Sequence, residues 1–169
     1  MRDFKEGSLT FRFPEGMRVF KYDDSTFYRK QFHAAFGGNK ALDFILMEKG
    51  QTWLMEVKDY RGRTRTKALD LADELAFKVR DTLAGLTVAQ NTASNGEEKE
   101  LAALALAKKG FRIVLHLEQA KNHSKLFPQA VDPANLLIKM KQKLKTIDPH
   151  PRIVNQARLK TELPWDALD

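Results

Sequence analysis

Cysteine is absent from the 169 residues, which excludes disulfides and thiolate metal sites alike. Long apolar runs are absent too: none approaches the roughly 20 residues needed to cross a bilayer. The opening Met1-Arg2-Asp3-Phe4-Lys5-Glu6 lacks the apolar core of a signal peptide. These three absences lead us to expect a cytoplasmic chain with no membrane partner. Internal repeats and low-complexity linkers are also missing, so one domain over 1–169 is expected, its core at about 24–156. No zinc-ligand spacing, phosphate-binding glycine loop or serine-nucleophile elbow occurs.

What the chain does have is the make-up of a globular protein, with 43% hydrophobic and 30% charged residues. Lysine and arginine number 29 against 22 acids, a net charge of +7. A basic surface attracts polyanions and speeds encounter with them. Nucleic acid is therefore the partner to test, although charge alone does not identify it.

Apolar–polar alternation at Leu9-Thr10-Phe11-Arg12-Phe13 predicts a strand, ended by Pro14 and Gly16, and Arg18 to Tyr22 a second. Asp23 and Asp24 offer N-caps for a helix through Phe36, with Tyr28 and Phe32 on its apolar stripe. Strands over 41–47 and 52–59 are joined by a tight turn at Lys49-Gly50. Leu69, Ala72, Ala76, Val79, Leu83 and Leu86 keep helical spacing and predict a long helix from Thr66. Further helices are expected over 97–108 and 133–146, with an apolar strand at 111–117 and a last strand at 151–155. This order predicts an α/β protein with a single mixed central sheet flanked by helices.

The hairpin carries the chemistry. With its turn centred between Lys49 and Gly50, facing residues sum to 99, so Asp43 faces Glu56. Directly opposed residues on antiparallel strands have Cβ atoms about 4.5–5.5 Å apart. Strand alternation puts Glu56 and Lys58 on that same face, while Leu42, Phe44, Leu46, Trp53, Met55 and Val57 form the opposite, apolar face. The triplet Glu56-Val57-Lys58 is uninformative alone, since Asp3-Phe4-Lys5 and Glu97-Glu98-Lys99 match it equally well. Two facing acids repel unless offset, and a divalent cation or Lys58 would offset them. Mg²⁺ takes oxygen ligands and needs only one or two carboxylates beside substrate phosphate oxygens. The plain alternative is a cross-strand ion-pair cluster.

In Asp43 and Glu56-Val57-Lys58 the sequence resembles the PD-(D/E)XK nuclease superfamily. The resemblance implies a restriction-endonuclease-like αβββαβ core and hydrolysis of phosphodiester bonds, with DNA as the expected substrate. It further implies Mg²⁺ or Mn²⁺ held by Asp43, Glu56 and the Val57 carbonyl, Lys58 assisting the attacking water, and, as in many members, a homodimer. Leu42 stands where that family has proline. Gln31 stands where many members place a further acid, with Asp24 and Gln90 as the remaining auxiliary candidates. The rival expectation is a protein of this fold that cleaves little or nothing and binds nucleic acid or acts as an interaction subunit.

Arg61, Arg63, Arg65 and Lys67 follow the hairpin at every second position; in an extended stretch they would project on one side as a phosphate clamp. Lys139, Lys141, Lys143 and Lys145 fan around the exposed side of the 133–146 helix. His116, within the apolar strand, reads as a hydrogen-bonded structural residue.

Overall fold

The computed structural model describes residues 1–62, 65–121 and 129–169. Its strands are β1 (Arg2–Glu6), β2 (Leu9–Phe13), β3 (Arg18–Lys21), β4 (Phe44–Met47), β5 (Gln51–Asp59), β6 (Gly110–Glu118), β7 (Arg152–Val154) and β8 (Asp166–Leu168). The helices are α1 (Leu71–Thr92), α2 (Gly96–Leu106), α3 (Pro133–Leu144) and α4 (Gln156–Glu162). No helix among the described residues is long and apolar enough to cross a membrane.

The expected single sheet is corrected to two. A five-stranded mixed sheet has the order β3-β4-β5-β6-β7, and β1-β2-β8 make a separate antiparallel sheet. Within the larger sheet β3, β4 and β5 pair antiparallel, while β5–β6 and β6–β7 are parallel. A parallel pair needs a long crossover, which α1 and α2 supply between β5 and β6.

Both faces of the large sheet are covered, and strand alternation divides its side chains between two cores. Ile45, Met47, Leu54, Ile113 and Leu115 face Leu75, Val79 and Leu86 of α1, Ala102 of α2 and Met140 of α3. Phe44, Leu46, Trp53, Met55 and Val114 face Phe11 and Phe13 of the small sheet, Leu159 of α4 and Trp165. Leu42, expected on that second face, packs in the first core instead. It lies before β4 begins, and its N–H donates to Thr82 Oγ1 at 3.0 Å.

The helix expected from Asp24 to Phe36 is replaced by a π-helical turn, Phe27–Phe32, and a 3-10 turn, Ala35–Gly37. Asp24 caps nothing there and pairs with Lys21 and Arg29. The free N–H groups of Thr26 and Phe27 donate instead to the Glu98 carboxylate of α2, each at 2.8 Å. The long helix starts later than Thr66 because Asp70 caps it, accepting from the Ala72 N–H at 2.8 Å. Leu69 thus lies outside the helix and is exposed.

Candidate functional site

The 48–51 turn fixes the hairpin register, with the Glu48 N–H donating to the Gln51 carbonyl at 3.0 Å. Phe44 pairs with Met55, Ile45 with Leu54 and Met47 with Thr52, each summing to 99. Asp43, one residue before β4, lies beside the end of this ladder. Its Oδ2 accepts from the Val57 N–H at 2.7 Å. Glu56 and Lys58 share the helix-covered face, and Lys58 Nζ lies 2.7 Å from Glu56 Oε1.

Two further residues complete the cluster from above. Glu74 and Lys78 stand one turn apart on α1, aimed at the sheet. Lys78 Nζ is 2.5 Å from the same Oε1 of Glu56, and Lys58 is 3.2 Å from Glu74. Glu74 also holds Lys67 at 2.9 Å and Arg65 at 3.0 Å. Both acids are 1% exposed. Removing either buried acid would leave its clustered cations without their shared counter-charge, the costly way to break such a group.

Ionisation follows from these neighbours. Burial pushes Asp43 up to about 8, helped by Glu56 and opposed by Lys78. Burial would raise Glu74, but Lys67, Lys58 and Arg65 outweigh it and hold the carboxyl down at about 2. Burial would lower Lys58, yet Glu56 and Glu74 raise its ammonium above the usual lysine value. Lys58, Arg65, Lys67 and Lys78 thus gather around the carboxylates of Glu56 and Glu74.

Asp43 also has acidic neighbours on its other side. One carboxylate oxygen each from Glu6, Asp23 and Asp43 lies within 4.8 Å of the others. Lys21 Nζ sits among them, 2.6 Å from Glu6 and 3.0 Å from Asp23. Both acidic groups thus have an internal lysine as counter-ion. Glu56 in particular presents Oε1 to two ammonium groups, an arrangement that repels a divalent cation. Glu56 Oε2 is buried and has no hydrogen-bond partner among the described residues, so the two lysines hold one oxygen of the expected magnesium ligand and leave the other open.

The other sequence-derived candidates separate. Arg61 grips Asp59 at 2.7 Å and Asp169 at 2.5 Å, and Arg65 turns inward to Glu74, so the expected row of outward cations does not form from these two. Arg63 lies outside the described residues. Gln31 accepts from Ser94 N–H at 2.9 Å and donates to the Thr92 carbonyl, and Gln90 is on the same last stretch of α1. At 1.5 Å per residue that end lies about 20 Å along the helix from Lys78. Lys139 and Lys143 pair with Asp70 and Asp73 of the α1 start. His116 is fully buried, with Nε2 2.9 Å from Glu118 and its ring edge-on to Phe11.

Sequence reasoning missed Glu74, Lys78, Glu6 and Asp23. The first two left a signal: a Glu and a Lys, four apart, flank the apolar positions Leu75 and Val79 on the buried stripe of α1. Glu6 left none, because a sheet not foreseen brings it in, and Asp23, just past β3, reads locally as a helix cap.

No family model matches the chain, and no solved structure matches it. Among curated proteins it is 34% identical, over 167 aligned residues, to a cysteine--tRNA ligase of Neisseria meningitidis, with 81% of this chain covered. The chain spans about a quarter (24%) of that relative's length. This likeness overturns the assignment to the PD-(D/E)XK superfamily. With it falls the expectation of a metal-dependent nuclease or other phosphodiesterase acting on DNA.

Proposed function

We propose that this chain is an RNA-binding domain of the kind carried by a cysteine--tRNA ligase, with tRNA as its ligand. The observation that carries the reading is the 34% identity over 81% of the chain to a protein of that name. The net charge of +7 supports it, because phosphate contacts dominate nucleic-acid affinity. In this reading the chain binds and positions RNA, and the protein works in the cytoplasm.

A titration of labelled tRNA against salt tests this. We expect saturable binding whose logarithm falls linearly with the logarithm of salt concentration, with duplex DNA a poorer competitor. Absence of tRNA binding at low salt sinks the proposal. DNA competing as well as tRNA sinks its RNA preference.

A further inference from the structure

Phe36 is 88% exposed, far more than any other large apolar side chain among the described residues. It also holds φ at +54°, making it the one residue other than glycine with positive φ there. A left-handed backbone is unfavourable for a bulky side chain, and an exposed phenyl ring buries little to compensate. Folding stability therefore does not account for phenylalanine at this position.

The surrounding loop enforces the conformation. Gly38 N–H donates to the Ala35 carbonyl at 3.0 Å, and Asn39 N–H to the His33 carbonyl at 2.8 Å. The Asn39 side chain donates to the Phe32 and Ala35 carbonyls at 2.9 and 2.7 Å. Tyr28 Oη in turn donates to the Asn39 carbonyl. The Phe36 ring, edge-on to Phe32 with centroids 6.2 Å apart, is held out from the surface on a tied loop.

Charge decides what such a ring meets. From Arg29 to Lys40 the chain contains no acid, while Lys30, His33 and Lys40 are all exposed. A cleft of about 340 Å³ opens beside the loop, with His33, Lys40 and Lys78 in its lining together with Asp23 and Asp43. An exposed aromatic ring with flanking cations suits single-stranded nucleic acid, in which unpaired bases stack on rings and phosphates meet lysines.

We infer that Phe36 is a stacking platform for an unpaired RNA base, with Lys30 and Lys40 contacting the adjoining phosphates. This rests on the RNA-binding reading above and specifies the part of the RNA that is gripped: a loop or a free end, not a duplex.

The test uses the full chain with Phe36→Gly, Phe36→Trp and Lys40→Ala. Binding is read by anisotropy with a labelled, unstructured oligoribonucleotide and with a blunt RNA duplex. Phe36→Gly relieves the strained φ, so its melting temperature should equal or exceed that of the parent chain. Its affinity for the single strand should nonetheless fall about tenfold or more, with duplex affinity unchanged. Phe36→Trp should keep the affinity and show quenched indole fluorescence on binding. Lys40→Ala should lower the salt slope by about 0.7. Unchanged single-strand affinity in Phe36→Gly overturns the inference, leaves RNA binding standing and points to a protein partner for the ring. Failure of the parent chain to bind either RNA overturns both readings.

Discussion

The hydroxyl of Tyr22 occupies the place where Gly85, in the middle of α1, would carry a Cβ. Phe32 closes the same gap, with Cε1 3.1 Å from that point. This contact seats the π-helical turn against α1 and brings Asp23 to the edge of the acidic cluster. Glycine in a helix interior costs about 1 kcal/mol relative to alanine, so the close approach has to return at least that much.

Gly85→Ala is therefore expected to destabilise the chain by about 1–3 kcal/mol despite the better helix propensity, because rigid rings must give way. Tyr22→Phe should cost little, since the buried hydroxyl has no hydrogen-bond partner among the described residues. The double variant should recover most of the loss, its nearest ring atoms then lying at 3.1 Å. Urea melts of the three proteins check this; an additive double variant removes the steric explanation.

Asp43 makes stability depend on pH. Unfolded, it ionises near its ordinary 3.8; folded, it keeps its proton up to about 8. A raised carboxyl favours the native state fully below the lower value and loses that contribution as pH climbs through the upper one. Between about 4 and 8 we expect a decline of a few kcal/mol from this residue. Glu74 works oppositely: held at about 2, its contribution is present above 4.5 and vanishes as pH falls toward 2. Asp43→Asn, which keeps an acceptor for the Val57 N–H, should flatten the decline. An unaltered pH profile in this variant would rule out the assignment.

A divalent cation at Asp43, Glu56 and the Val57 carbonyl would have to lie beside Lys58 and Lys78, whose ammonium groups already hold Glu56 Oε1 and repel the ion. It would also have to strip the Asp43 proton. We expect titration calorimetry with Mn²⁺ at neutral pH to show no saturable uptake. Uptake that disappears in Glu56→Gln would reinstate a metal at this hairpin.

The hairpin was legible because two local rules act together. Period-two alternation splits Phe44 and Leu46 from Ile45 and Met47, and the tight turn at Lys49-Gly50 sets the register residue by residue. The apolar run of β6 likewise announces a strand buried on both faces. What escaped depended on distant partners. The turn at Phe27–Phe32 is held by Glu98, some seventy residues on, which no local pattern encodes. β1 is mostly exposed and charged, so its alternation is faint. The site was half legible: Glu56 and Lys58 pair and Asp43 accepts from the intervening Val57 N–H, but α1 brings Lys78 to the same oxygen of Glu56. A motif that reads as a cation trap is thus also part of an ion-pair network. Burial and counter-charge, not residue type, made the difference.

The parallel pairing of β5 with β6 also shapes how the molecule is assembled. Gln51 meets Gly110 and Asp59 meets Glu118, so every rung of this central ladder closes a loop of about sixty residues. Loop closure of that length has to precede any reward from the rungs, whereas the β4–β5 hairpin and the α1–α2 pair form from near neighbours. The middle of the sheet is thus a late event in folding, and until it forms β5 has an open edge on which another chain can seat.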